Sequence, residues 1–266
     1  MVDRLIGKVA LVTGAGSRGP GVGNGKAAAT LFAREGASVV CVDQVLERAA
    51  ETVKAIEAEG GVAVAVAADV TKPDDCRRAA DLAVERFGRL DILQNNVGIS
   101  DPRQGIREVT EEAWDRVMAV NLKSMVFASQ AAIPHMKAVG GGSIINISSI
   151  AALRHYRGIT AYQTTKAGVI GLTISMAGDL GEKRIRVNAI APGQVWTPMA
   201  ASHMSPERRA ERQRSGMIQD EGTAWDIGWA AVYLASDEAR WVTAQVLVID
   251  AGVTLTMRGG STEEPR

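Results

Sequence analysis

Short β-branched runs alternate with long alanine-rich stretches along almost the whole chain, and this rhythm constrains the fold more than any other feature. The runs lie at residues 8–13, 38–43, 62–67, 91–95, 143–148, 184–191 and 245–250. They are nearly continuous in apolar residues, which suits strands buried on both faces of a parallel sheet. Helix-period stretches fall between them, at 25–35, 46–59, 73–87, 111–136, 161–181, 206–215 and 223–234. Pro73 stands where a first-turn proline is tolerated. Gly36, Gly60 and Gly88 follow the first three stretches as C-terminal stops.

Strand–helix alternation from end to end predicts a doubly wound α/β domain with a seven-stranded, mainly parallel sheet and helices on both faces. Right-handed crossovers then bring ligands to the carboxyl ends of the strands. No break in composition divides residues 1–252. Residues 253–266 read as a C-terminal tail. Between 197 and 215 strand signals give way to Met, His and charge, which reads as a mobile lid over the site.

Thirty basic residues balance thirty acidic ones. No whole-protein field gathers nucleic acid or acidic membranes. Cys41 and Cys76 form no CxxC pair, so a zinc or redox motif has no support. His155 and His203 lack partners at metal-ligand spacing, so no metal site is expected. No run approaches the roughly 20 apolar residues of a membrane span, and no signal-peptide core opens the chain. A cytoplasmic protein is expected.

A glycine-rich turn runs from Thr13 to Gly25, after the first strand and into the first helix. Glycine lets the backbone approach a phosphate closely, and a helix start offers free N–H groups and a positive dipole end to a pyrophosphate. Strand-before and helix-after context strengthens an otherwise weak motif. Asp43 closes the second strand, where an acid bonds adenosine ribose hydroxyls. A 2′-phosphate would meet its charge, so NAD is favoured over NADP.

Tyr162 and Lys166 are four residues apart at a helix start and share one face. Ser149 ends a strand thirteen residues earlier. Asn121 falls inside the long 111–136 stretch. A tyrosine near pKa 10 is a poor base at neutrality. A cation about 4 Å away contributes about 4 kcal/mol at an effective dielectric of about 20. That is about three pKa units, which together with the charge of an oxidised nicotinamide would bring Tyr162 near 7, where general acid/base catalysis works.

With these motifs in order, the sequence resembles the short-chain dehydrogenase/reductase family from about Lys8 to Gly252. The resemblance rests on Thr13-Gly14 with Gly23-Asn24-Gly25, Asp69-Val70, Asn95-Asn96-Val97-Gly98, Val120-Asn121, Asn146 to Ser149, Tyr162 to Lys166, and Pro192 to Thr197. It implies a Rossmann-type fold and a catalytic tetrad of Asn121, Ser149, Tyr162 and Lys166. By resemblance, Tyr162 exchanges the proton, Ser149 holds the substrate oxygen, and Lys166 binds the nicotinamide ribose and lowers the Tyr162 pKa. Asn121 positions a relay water. The implied coenzyme site comprises Gly14, Ser17, Gly23, Asn24, Gly25, Asp43, Asp69, Val70, Asn95, Gly98, Tyr162, Lys166, Pro192, Val195 and Thr197. Within it, Asp69 and Val70 contact the adenine, Asn95 the adenosine side, Val195 the carboxamide and Thr197 the pyrophosphate. A homotetramer is also implied, and Gly168, Gly171, Ser175 and Gly178 would permit close helix approach.

The sequence departs from the family pattern in the phosphate turn, where five extra residues fall within 16–22 and Arg18 enters. Val97 replaces a usual alanine, and Ala244 and Ala251 replace common glycines. Arg154, His155, Tyr156 and Arg157 form a basic cluster suited to a substrate carboxylate or phosphate. Trp196, Met199, His203 and Met204 suggest an apolar pocket wall. The resulting reading is an NAD-dependent oxidoreductase of a small-molecule secondary alcohol or ketone. Its alternatives are an NADPH-dependent carbonyl reductase of the same fold and a non-catalytic dinucleotide-binding module. A binding module has no need of all four tetrad residues.

Overall fold

The computed structural model describes residues 3–100, 104–201 and 204–256. Seven strands form one sheet: β1 (Val9–Thr13), β2 (Ser38–Asp43), β3 (Val62–Ala67), β4 (Ile92–Asn95), β5 (Gly142–Ile147), β6 (Ile185–Pro192) and β7 (Val246–Ile249). Their order is β3-β2-β1-β4-β5-β6-β7, and every pairing is parallel. The helices are α1 (Asn24–Arg34), α2 (Leu46–Ala58), α3 (Pro73–Phe87), α4 (Glu111–Met118), α5 (Ser124–Ala138), α6 (Thr160–Leu180), α7 (Pro198–Ala201), α8 (Pro206–Gln213) and α9 (Ala224–Ala235).

The continuous apolar strands serve two cores at once. Ala10 and Val12 of β1 join Val39 and Cys41 of β2 under α1 and α9. Val9 and Leu11 join Val40 and Val42 on the opposite face, under α3 and α5. Successive side chains on a strand point to opposite faces, so a strand covered on both sides needs an apolar residue at every position. The chain reverses its winding between β1 and β4. Their carboxyl ends therefore open a crevice, the usual ligand position in such a sheet.

The stretch expected as one helix over 111–136 is interrupted. A π-helical turn over Ala119–Lys123 separates α4 from α5. Such a turn widens the helix and re-aims the side chains it carries, and one of them is Asn121. The region expected as a lid folds into α7 and α8. Ser205 caps α8 by accepting from the Arg208 N–H at 3.3 Å, and Pro206 opens the helix. The Arg209 guanidinium grips both oxygens of Glu221 and lies 3.9 Å from the Trp196 ring centroid.

The boundary drawn at residue 252 cuts through a packed turn. Val253 is buried, and the Arg154 side chain donates to the carbonyls of Val253 and Thr256. The remainder of the expected tail, from residue 257, and His203 lie outside the described residues. Ala244 and Ala251 take positive φ, 59° and 54°. That backbone favours glycine, which accounts physically for glycine at these positions in the family pattern. No helix among the described residues is long and apolar enough to cross a membrane.

Candidate active site

A cavity of about 630 Å³ runs along the carboxyl ends of β1, β2, β4, β5 and β6. At one end, β1 passes into the glycine-rich turn. Gly14 adopts φ +64°, a left-handed conformation suited to glycine. Its carbonyl accepts from the Asn96 side chain at 3.0 Å, and the Thr13 hydroxyl accepts from the Asn96 backbone N–H at 3.0 Å. These bonds lock the ends of β1 and β4 together. Ser17 closes the enlarged turn by accepting from the Gly23 N–H at 3.2 Å. Gly23 leaves α1 without a side-chain cap, so first-turn N–H groups are left to a ligand. The buried Oδ1 of Asn24 also lacks a partner. An uncapped helix start beside an orphaned acceptor fits the pyrophosphate and sugar chemistry of a dinucleotide.

Asp43 lines the same cavity at the end of β2, as do Arg18 and Arg48. One Asp43 oxygen accepts from the Val45 N–H at 3.0 Å, which orients the carboxylate. The enlarged turn reaches this carboxylate: a methyl group at Gly16 would lie 2.7 Å from Asp43 Oδ2. Asp69 and Val70 follow β3 and also line the cavity. Asp69 is tied by the Thr71 N–H and hydroxyl at 3.0 and 2.7 Å.

At the other end stand Ser149, Tyr162 and Lys166. Ser149 follows β5, and its oxygen accepts from the Ala151 N–H at 3.1 Å. Tyr162 is half-buried at the start of α6 and hydrogen-bonded to the Ser149 side chain. Lys166, one turn later, is buried and donates to the Ile147 carbonyl at 2.8 Å. Its ammonium lies 5.6 Å from the Tyr162 ring centroid. Burial brings the Lys166 pKa down to about 8. Burial also raises the Tyr162 hydroxyl above its ordinary value, and the Ser149 bond only partly offsets this. Desolvation penalises both ionised forms.

Most expected site residues line the cavity: Gly14, Ser17, Gly23, Asn24, Gly25, Asp43, Asp69, Val70, Gly98, Ser149, Tyr162, Lys166, Pro192, Val195 and Thr197. Asn95 and Asn121 do not. Asn95 is 2% exposed, and its amide donates to Asn146 and Ser129 at 2.9 and 3.2 Å. It pins β4 to β5 and α5. Strand alternation turns Asn95 inward, and Asn96 meets the cavity instead. Asn121 is fully buried. It accepts from the Ile99 N–H at 2.8 Å and donates to the Ile99 carbonyl at 2.9 Å and the Thr165 hydroxyl at 3.3 Å. It clamps the loop after β4 to the α6 turn that carries Lys166.

The basic cluster after Ser149 does not gather at the site. Arg154 is engaged by the C-terminal turn, while His155 and Arg157 are exposed. Arg212 of α8 and Arg116 of α4 line the cavity instead. Sequence reasoning missed both because helix periodicity alone does not show which face of a short polar helix turns inward. Met199 also lines the cavity, whereas Trp196 and Met204 border a smaller cleft beside α8.

Comparison with known proteins agrees with this geometry. A family model described as enoyl-(acyl carrier protein) reductase matches residues 21–254. The 3-oxoacyl-[acyl-carrier-protein] reductase of Thermotoga maritima is 39% identical over 253 residues, 95% of this chain and 100% of its own. A crystal structure of a short-chain dehydrogenase/reductase from Burkholderia xenovorans superposes with a TM-score of 0.90 at 38% identity, covering 96% of this chain and 99% of that one. A 7α-hydroxysteroid dehydrogenase complexed with NADH and 7-oxo glycochenodeoxycholic acid gives 0.88 at 37% identity, covering 94% and 96%. A parallel sheet that opens a dinucleotide-sized crevice, a Ser–Tyr–Lys group inside it and this similarity along nearly the full length together establish that the chain belongs to the short-chain dehydrogenase/reductase family of oxidoreductases.

Proposed function

We propose that this protein is an NAD-dependent dehydrogenase/reductase of secondary alcohols and ketones, with Tyr162 as its general acid/base. One observation carries the reading: the bonded Ser149 and Tyr162 side chains share a cavity with the Lys166 ammonium, and Asp43 stands at its far end. When bound, the nicotinamide supplies the hydride acceptor or donor. The chain supplies orientation and proton transfer. Ser149, held by Ala151, positions the substrate oxygen. Tyr162 gives a proton to that oxygen during reduction and takes it during oxidation. The Lys166 charge favours the ionised tyrosine, and Asn121 acts as a positioning residue through Ile99 and Thr165. Asp43 selects NAD because its carboxylate opposes a 2′-phosphate.

A second reading, NADPH-dependent reduction, is favoured by Arg18 and Arg48, which line the same cavity as Asp43. Initial rates with each coenzyme separate the two. We expect at least tenfold higher kcat/KM with NAD, and a tenfold preference for NADPH overturns the Asp43 assignment. Tyr162→Phe should lower turnover by about 10²–10⁴-fold while coenzyme binding persists. Unchanged turnover overturns the mechanism and favours a binding module. Assembly as a homotetramer belongs to the same proposal. Gly171 and Gly178 on α6 have open space beside them, and Ile174 between them is exposed.

A further inference from the structure

The α8 helix turns one cation toward the reacting end of the cavity. Arg212 is half-buried and lines the same cavity as Ser149 and Tyr162. Its guanidinium approaches the Val195 carbonyl at 3.5 Å and the Met204 sulfur at 3.6 Å. The first is long for a hydrogen bond and the second goes to a weak thioether acceptor, so among the described residues most of its five donors have no strong partner. Arg212 also interacts electrostatically with Tyr156, in the loop between Ser149 and Tyr162. That interaction and the Val195 approach place its charge at the catalytic end of the cavity.

No carboxylate of the described residues pairs with it. Glu221 is the nearby acid, but Arg209 grips both its oxygens and the Gln213 side chain bonds it as well. Burial and the neighbouring Arg208 charge lower the Arg212 pKa, and the charges of Tyr156 and Glu221 offset this only in part. Arginine presents a planar fork that matches a carboxylate bidentately. Arg154, which could have added a second positive charge for a dianion, donates to the Val253 and Thr256 carbonyls.

We infer that Arg212 anchors a carboxylate on the substrate, so that the physiological substrate is a hydroxy or oxo carboxylic acid. The inference rests on the dehydrogenase reading above and deepens it.

The test compares hydroxy monocarboxylic acids of graded chain length, and mandelate, with their methyl esters. It uses the wild-type protein, Arg212→Met and Arg212→Lys, with saturating coenzyme. For the best acid, the wild-type protein should favour the acid over its ester at least tenfold in kcat/KM. Arg212→Met should reduce that ratio at least tenfold, and Arg212→Lys should restore part of it. A merely structural loss would lower both substrates and leave the ratio unchanged, which overturns the inference. So does a wild-type preference for the esters. A raised coenzyme KM with an unchanged ratio assigns the guanidinium to the dinucleotide and also overturns it. If no substrate turns over, the dehydrogenase reading fails separately. Fluorescence titration of the NADH-loaded protein with the corresponding oxo acids then decides the anchor. Saturable binding weakened at least tenfold by Arg212→Met supports it, and equal or absent binding overturns it.

Discussion

The Lys166 ammonium donates to the Ile147 carbonyl at 2.8 Å, inside the protein and without a carboxylate partner among the described residues. One turn of α6 is thereby joined to the end of β5, and a positive charge is held at the cavity where coenzyme and substrate are proposed to meet. Holding it there carries a cost that pH exposes.

Burial brings Lys166 down to about 8 in the folded protein from its ordinary value of 10.5. Below pH 8 both folded and unfolded chains are protonated, and the burial penalty is present in full. Between pH 8 and 10.5 the unfolded chain binds more protons, so this residue makes the unfolding free energy rise with pH. Lys166→Met removes the dependence. In urea denaturation without coenzyme, the stability of the Met variant relative to wild type should be most favourable at pH 7. It should decline by about 2 kcal/mol by pH 9.5. A difference constant across this range would refute a buried, depressed ammonium.

Gly25 sits where α1 passes over the turn. A methyl group there would overlap the Gly14 carbonyl and come within 2.5 Å of Asn96 Nδ2. Gly14 and Asn96 are themselves bonded, so neither yields without moving β1 from β4. Gly25→Ala should therefore cost about 1–3 kcal/mol through overpacking. It should also weaken NADH binding at least tenfold, because the uncapped start of α1 shifts. Chemical denaturation and fluorescence titration check the two effects, and wild-type values in both would remove Gly25 from this role.

Arg154 looked available for substrate charge from the sequence, but the structure engages it elsewhere and turns Arg212 to the cavity instead. Arg154 satisfies the Val253 and Thr256 carbonyls beside the buried Val253 side chain. Arg154→Ala should lower stability by about 1–3 kcal/mol, the cost of leaving part-buried acceptors unpaired. It should leave the acid-to-ester preference of turnover at the wild-type ratio. A stability change within 0.5 kcal/mol, or a collapsed ratio, would contradict this assignment.

The seven strands were legible because a sheet covered on both faces demands uninterrupted apolar runs, and β1 and β2 show this residue by residue. The Tyr162–Lys166 pair was legible because helix periodicity places positions four apart together. Other features were not local. Asn95 and Asn96 are adjacent and chemically identical, yet only Asn96 meets the cavity, since strand direction decides which side chain turns inward. The π-helical turn around Asn121 had no periodic mark, because one widened turn barely disturbs the pattern on either side.

The sequence by itself determined the doubly wound sheet, the glycine-rich turn before α1 and the order of Ser149, Tyr162 and Lys166, all products of local periodicity and short spacing. Tertiary structure decided which charges were already engaged. It bound Arg154 to the C-terminal turn, gave Glu221 to Arg209, and left Arg212 facing the cavity. It also set the Tyr162 and Lys166 titrations, because desolvation depends on what the rest of the fold packs around them.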